Sequence, residues 1–450
     1  MEKITILGAG LVGSLLSIYL SKHGHAVEVY ERRGDPRVGE PEMGRSINLA
    51  LSDRGFKGMA GASKALAEEV RGKSIPMKGR MVHDEHGKQT LQPYGKEGQY
   101  IYSISRRLLN QVLINFAEEA GVKFNFNQRC VEADLVGDRL TFEDTLSQTQ
   151  ASIHPELVFG ADGAFSALRY AMQKTDLFNY SQEYLEYGYK ELSIPAINGM
   201  HQMEKGALHI WPRKSFMLIA LPNLDGSFTC TLFLPFKGDK SFESLNSERE
   251  VRAFFSDYFP DTLALVPDLT KAFFTNPTSS LVTVKCFPWL VRDKYVLIGD
   301  AAHAIVPFYG QGLNAGFEDC SVLDQLLEKG QQDLNTVLGI FQKSRKEDTD
   351  AIAKLALRNF TEMRDLVINE TFLLRKKIEA KLHELYPSDW IPLYTMVTFS
   401  DMPYAKALKL CRIQDKIMEE VLDMSGIETS WKNLDFEAVI KKYKNAQTGF

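Results

Sequence analysis

Gly299-Asp300-Ala301-Ala302-His303 and its continuation Pro307-Phe308-Tyr309-Gly310-Gln311-Gly312-Leu313-Asn314-Ala315-Gly316 decide the fold. They follow an apolar run, Tyr295-Val296-Leu297-Ile298, that reads as a buried strand, and they lead into a helical pattern from Phe317. An acid closing a strand, then a glycine-rich loop opening a helix, suits an extended ligand with a polyhydroxyl chain and an anion-accepting end. Far upstream, Gly8-Ala9-Gly10-Leu11-Val12-Gly13 lies between a strand over 3–7 and a helical pattern over 12–22. There Gly8 permits a tight turn, Gly10 lets a pyrophosphate approach the backbone, and Gly13 lets helix and strand pack closely. Glu31 stands 18 residues after Gly13, at the end of a second strand over 26–30. Its carboxylate can accept hydrogen bonds from a ribose diol and repels a 2′-phosphate.

Two such loops in one chain read as FAD gripped by distant segments. Asp300 can bind ribityl hydroxyls, and helix-terminal amides near Leu313 and Asn314 can face the pyrimidine edge of a reduced flavin, where negative charge gathers. A ligand-free strand–helix turn explains the glycines but not Asp300 beside them.

With 450 residues the chain can form two domains, or one with a helical appendage. A net charge of −5 and the lack of a basic stripe interleaved with aromatics argue against a nucleic-acid partner. The five cysteines (Cys130, Cys230, Cys286, Cys320, Cys411) are scattered without a CxxC, which fits a reducing compartment. The N-terminus enters a strand directly, and no run approaches the ~18 apolar residues of a membrane span. The expectation is a cytoplasmic protein with no membrane partner, either monomer or homodimer.

The expected architecture is α/β: a Rossmann-like FAD-binding domain, an inserted antiparallel β-sheet substrate domain and a helical C-terminal region. The first part of the FAD-binding domain covers 1–185 and includes a substrate-side hairpin at about 75–105. β-rich segments at 207–211, 216–221 and 228–233, separated by turn signals, mark the inserted sheet over 186–284. Residues 285–330 complete the FAD-binding domain, and 331–450 is nearly all helix, with 3.6-residue periodicity over 334–369 and 370–385. His83-Asp84-Glu85-His86 reads as a polar hairpin tip and not a metal cluster, so no metal is expected. His303 reads as a hydrogen-bonded structural residue.

Gly8–Gly13 with Glu31, Asp162-Gly163 followed by Arg169, and Gly299-Asp300 resemble the three fingerprints of the class A flavoprotein aromatic hydroxylases, the para-hydroxybenzoate hydroxylase fold. Within that class, Gly44-Arg45-Ser46-Ile47-Asn48-Leu49-Ala50-Leu51-Ser52 and Pro307 through Cys320 are similar to the kynurenine 3-monooxygenase family. The likeness runs from residue 3 to about residue 400. It implies FAD held by Val12, Tyr30, Glu31, Arg32, Arg33, Ala50, Arg106, Cys130, Asp162 and Ala167, with Asp300, Gly312, Leu313 and Asn314 at the flavin end. It also implies NADPH and O2 as co-substrates, the NADPH docking transiently near Asp162-Gly163 with Arg169 at hand. L-kynurenine would be the substrate, hydroxylated at ring position 3 by flavin chemistry with no side-chain catalyst. The family's carboxylate clamp maps onto Arg80 and Tyr94, and Asn359, Tyr394, Glu362, Met363, Phe308 and Tyr309 complete the pocket. The helical region carrying Asn359 and Tyr394 would close it. Without the resemblance, Arg80 reads as a solvated edge charge and Tyr94, Asn359 and Tyr394 as packing residues.

Two other readings stay open at this point. A hydroxylase of a salicylate- or hydroxybenzoate-like acid would act on such compounds and not on kynurenine. A non-catalytic FAD-fold protein resembling prenyl-GTPase escort proteins would hold no yellow cofactor and ignore NADPH.

Overall fold

A computed structural model describes residues 2–39, 48–96, 98–329, 333–366 and 369–448. Residues 44–47 of the family-like segment quoted above lie outside them. The frame is a six-stranded sheet in which Lys3–Leu7 pairs in parallel with Ala26–Tyr30 and with Leu157–Gly160. Lys123–Asn125 extends it in parallel beyond Ala26–Tyr30, and Tyr295–Leu297 beyond Leu157–Gly160. These strands are apolar nearly throughout (Ile4, Ile6, Val27, Val29, Val158, Val296, Leu297, all buried) because helices cover both faces of a parallel sheet. The Leu11–Lys22 helix buries its small residues Gly13, Ser14 and Ser17. The return of Tyr295–Leu297 to this sheet brings the two glycine loops together. A Cβ on Gly299 would lie 3.1 Å from the Val12 side chain, and one on Gly316 only 2.6 Å from it.

A second sheet has seven strands, in the order Ser279–Phe287, Asn179–Ile194, Phe228–Pro235, Met217–Pro222, Ala207–Pro212, Gly79–His83, Gln89–Pro93. Its pairings are antiparallel except for Ala207–Pro212 with Gly79–His83, which run parallel. The 79–93 hairpin is thus the edge of this sheet. Strand alternation divides the side chains between two cores. Trp211, Phe216, Leu218 and Leu232 face Phe254, Phe255, Phe259 and Phe273 from a small helical layer that β-rich composition did not announce. Val82, Ile210, Met217 and Phe233 face the other way, onto Phe308, Tyr309, Ile352, Leu355 and Met396.

The C-terminal region opens with the 28-residue helix Leu334–Thr361, which continues as a π-helical turn at Glu362–Leu366. Glu370–Leu385, Tyr404–Leu422 and Phe436–Thr448 close around their own core, which includes Ile378, Leu382, Trp390, Ile417, Met418 and Tyr443. No helix among the described residues is long and apolar enough to cross a membrane.

Candidate active site

The first loop has the shape a pyrophosphate requires. Gly8 has φ +99°, and a Cβ there would lie 2.6 Å from Ala161 O; one on Gly13 would lie 2.1 Å from Gly8 O. A Cβ on Gly10 would meet nothing within 4 Å, so the loop is closed below and open above. Glu31 Oε2 accepts from Ala9 N at 2.9 Å and Oε1 from Arg33 N at 3.0 Å, and each oxygen keeps a second acceptor site for a ribose hydroxyl. Tyr30 stacks on Phe142 at 4.2 Å and donates to Glu28, so its ring is committed to packing. Arg32, Arg33 and Arg106 are exposed. Cys130 is half-buried, and burial pushes its thiol up to about 12, with Asp162 adding to the effect.

Asp162 Oδ2 accepts from Ala167 N at 2.7 Å, whereas Oδ1 is buried with no partner among the described residues. An orphaned buried acceptor beside an open glycine loop fits a bound polar ligand. Arg169 differs from expectation: it is 2% exposed, and its guanidinium donates to Ala301 O at 2.8 Å and to Ala164 O. It is no surface contact for a reductant; it ties the Asp162-Gly163 segment to Gly299-Asp300.

At the second loop, Gly299 (φ +60°) and Gly310 (φ +65°) make the turns, and Asp300 begins a single helical turn, Asp300–His303. The Gly312–Glu328 helix starts without a side-chain cap, and its first intrahelical bond is Ala315 N to Gln311 O at 2.8 Å. The amides of Gly312, Leu313 and Asn314 therefore stand at the positive end of the helix, as an anionic flavin edge requires. The Asn314 side chain is spent elsewhere. Its Oδ1 accepts from Ser52 N at 3.0 Å, and its Nδ2 donates to Ala50 O at 3.0 Å and Gly310 O at 2.6 Å. Behind the loop Asp319 accepts from Gly299 N at 3.2 Å, His303 Nε2 at 2.6 Å and Arg345 Nε at 2.7 Å. Burial opposes its charge, but His303 and Arg345 outweigh that and hold the carboxyl below the usual range. His303 thus has the structural role read from its position.

On the pocket face of the second sheet, the Arg80 guanidinium lies 5.6 Å from the Tyr94 ring and 5.0 Å from the Tyr394 ring. Tyr394 stacks on Tyr94 at 5.2 Å and on Tyr309 at 5.6 Å. Arg80 Nε and Tyr94 OH are buried without hydrogen-bond partners among the described residues, and no carboxylate among those residues pairs with Arg80. A half-buried cation with no carboxylate partner among the described residues, ringed by phenols and with its Nε shut from water, fits a ligand carboxylate. Phe308 stacks on Phe360 at 4.0 Å, and Asn359 Nδ2 donates to Phe308 O at 2.6 Å and approaches Met363 Sδ at 3.2 Å. Asn359 therefore holds the Phe308 loop. Glu362 turns its carboxylate to Arg358 Nε at 2.8 Å, while its charge still helps burial raise the Tyr309 hydroxyl.

Sequence reading missed Phe360, Arg54 and Tyr404, whose burial no local pattern signals. It also misplaced His83. The hairpin turn is formed by Asp84 to Gly87, but His83 itself is 1% exposed, 2.7 Å from Asp261 Oδ2 and 2.9 Å from His209 Nδ1 on the far face of the sheet. The described residues hold no group of three or more potential metal ligands.

An FAD binding domain profile matches residues 1–332. The kynurenine 3-monooxygenase of Flavobacterium psychrophilum is 51% identical over 448 residues, covering 99% of this chain and 99% of its own. The chain belongs to the kynurenine 3-monooxygenase family. The kynurenine 3-monooxygenase of Dictyostelium discoideum is 45% identical over 99% of this chain and 98% of its own. Among solved structures, a tetrameric 2-methyl-3-hydroxypyridine-5-carboxylic acid oxygenase aligns with a TM-score of 0.65 at 21% identity, over 83% of this chain and 95% of that one. CtdE, solved with FAD and a substrate, aligns with a TM-score of 0.65 at 15% identity, over 92% and 100%. Those two show the fold that this kynurenine 3-monooxygenase family member shares with them. The relatives favour neither the hydroxybenzoate-type hydroxylase nor the escort protein.

Proposed function

We infer that this chain is an FAD-dependent monooxygenase that converts L-kynurenine, NADPH, a proton and O2 into 3-hydroxykynurenine, NADP+ and water. The observation that carries the site assignment is the convergence of Tyr94, Tyr309 and Tyr394 around the unpaired Arg80 guanidinium. FAD, when bound, supplies hydride acceptance from NADPH and oxygen activation. Arg80 takes the substrate carboxylate in a charge-assisted pair strengthened by burial, and Tyr94 OH donates to the same group. Stacked Phe308–Phe360 and Tyr309–Tyr394 wall the aromatic ring and keep water out. The amides of Gly312, Leu313 and Asn314 lower the energy of negative charge on the cofactor. Gly10, Glu31 and Asp162 hold the adenosine and pyrophosphate end. The ring amine of kynurenine itself makes its ortho carbon electron-rich, so no side-chain acid or base is needed at that carbon. Asn359 and Tyr394 bring the helical C-terminal region over the ring.

The test is NADPH oxidation in air by the purified yellow protein, with and without L-kynurenine, with product mass and peroxide measured together. Stimulated oxidation giving a product one oxygen heavier is expected. A flavoprotein whose NADPH oxidation ignores kynurenine would overturn the reading.

A further inference from the structure

Arg54 is the second residue of the Asp53–Ala62 helix, and its side chain is 1% exposed. Holding a guanidinium so far from water is costly unless most of its donors are met. Its Nε donates to Val397 O at 3.0 Å, Nη2 to Met396 O at 3.5 Å and to Met402 O, and Nη1 pairs with Glu318. The guanidinium also lies 4.1 Å from the centre of the Tyr404 ring.

These partners lead to both halves of the site. Met396 and Val397 belong to the last turn of the six-residue helix Leu393–Thr398, whose terminal carbonyls need outside donors; Tyr394 stands in its first turn. Tyr404 OH donates at 2.9 Å to Oε1 of Gln311, the residue between Gly310 and Gly312. Glu318 lies on the Gly312–Glu328 helix and shares Arg345 with Asp319, which accepts from Gly299 N. The helix carrying Arg54 is itself pressed onto the flavin-loop helix: a Cβ on Gly55 would lie 2.4 Å from Asn314 Oδ1, and one on Gly58 2.8 Å from Phe317 O.

We propose that Arg54 is a positioning residue that couples substrate occupancy at Tyr394 to the geometry of the Gly310–Asn314 loop. The proposal rests on the functional reading above. Kynurenine seated between Arg80 and Tyr394 fixes the Leu393–Thr398 helix, and the planar fork of Arg54 holds that helix and the loop in one register. A lysine offers one compact donor group and cannot bind in both directions. Coupling carried by a single shared cation predicts that substrate binding and the yield of hydroxylated product per NADPH fail together.

The experiment compares wild type, Arg54→Lys, Tyr394→Phe, their double variant and Tyr404→Phe, all loaded with FAD. It reads kynurenine KM, product per NADPH, and hydrogen–deuterium exchange of peptides spanning 307–316 and 393–403 with and without kynurenine. Arg54→Lys is expected to keep its flavin spectrum, raise KM about tenfold, as for one charge-assisted hydrogen bond, and lose kynurenine-dependent protection across 307–316. In the Tyr394→Phe background its KM penalty should shrink, since both act through one helix. If Arg54→Lys does not fold, Tyr404→Phe keeps the guanidinium in place and cuts only the bond to Gln311. A lower product yield and weaker protection at 307–316 are then expected with FAD still bound. The proposal is overturned by a flavin-loaded Arg54→Lys protein with wild-type KM, yield and protection, by a KM penalty undiminished in the double variant, or by a wild-type yield and protection in Tyr404→Phe. A wild-type protein indifferent to kynurenine would instead overturn the functional reading, and the proposal with it.

Discussion

Tyr394 stacks on Tyr94 with ring centroids 5.2 Å apart and planes within 12°, and the Arg80 guanidinium lies over both rings. The tyrosines come from opposite ends of the chain. Tyr94 follows the Gln89–Pro93 edge strand of the second sheet, and Tyr394 lies in a short helix of the C-terminal region. Their contact forms a pocket wall that neither region has alone.

Removing the cation tests that wall. Arg80→Met should raise the kynurenine KM by about 10- to 100-fold, the range for losing a charged hydrogen bond to a carboxylate. FAD content and melting temperature should stay near wild type, because Arg80 has no ion pair among the described residues to lose. Steady-state kinetics on the flavin-loaded protein decide; an unchanged KM removes Arg80 from the substrate site.

Asn314 offers a different signature. Asn314→Ala deletes three hydrogen bonds, stranding Ser52 N in a buried setting and Ala50 O in a half-buried one, which should cost about 2–4 kcal/mol. Thermal unfolding and FAD titration of the apoprotein should both worsen, since the loop loses its tie to the Asn48–Leu51 strand. A variant with wild-type melting and FAD affinity would show that the loop is held by other contacts.

Gly8 and Gly10 should separate folding from cofactor binding. Gly8→Ala meets both a φ of +99° and a backbone oxygen 2.6 Å away, so loss of both stability and bound flavin is expected. Gly10 has φ −70° and open space, so Gly10→Ala should fold with a wild-type melting temperature yet bind FAD weakly. Melting curves beside flavin absorbance check both; full flavin in Gly10→Ala would mean the pyrophosphate lies elsewhere.

A pH dependence follows from His209, which is fully buried and hydrogen-bonded through Nε2 to Glu204 O at 2.8 Å. Burial, with His83 adding to it, holds its imidazole down at about 4, against 6.5 ordinarily. Above 6.5 neither the folded nor the unfolded chain protonates it, and its contribution to stability is constant. Between 6.5 and about 4 the unfolded chain takes a proton that the folded one refuses, so stability falls as pH falls. The full loss is of order 3 kcal/mol. Melting temperature measured from pH 7 to 5 should drop, and His209→Gln should flatten that drop; an equal slope in the variant would assign it to other groups.

The nucleotide loop and its frame were legible in local residues alone. The turn at Gly8, the close approach at Gly13, the acid at Glu31 and the strands at 3–7 and 26–30 answer to steric and apolar demands made within a few residues, and the structure reproduces those strands residue for residue. The family likeness drew Arg80, Tyr94, Tyr309 and Tyr394 to one pocket, although their local pattern is that of edge and packing residues. Packing between distant segments is what makes the 79–93 hairpin complete the inserted sheet, turns His83 to the far face, and sets the Asn314 side chain to hold a strand while its amide stays for a ligand. Arg54 could not be read at all, and Arg169 was read only as part of a fingerprint beside the reductant, not as a buried tie. Apart from the Glu318 carboxylate on Arg54, the partners named for them are backbone carbonyls as far as 348 and 132 residues away, and a carbonyl carries no sequence signature. What a side chain does when its neighbours arrive from across the chain is fixed by packing, and packing is where burial turns an ordinary arginine into a paired or waiting cation.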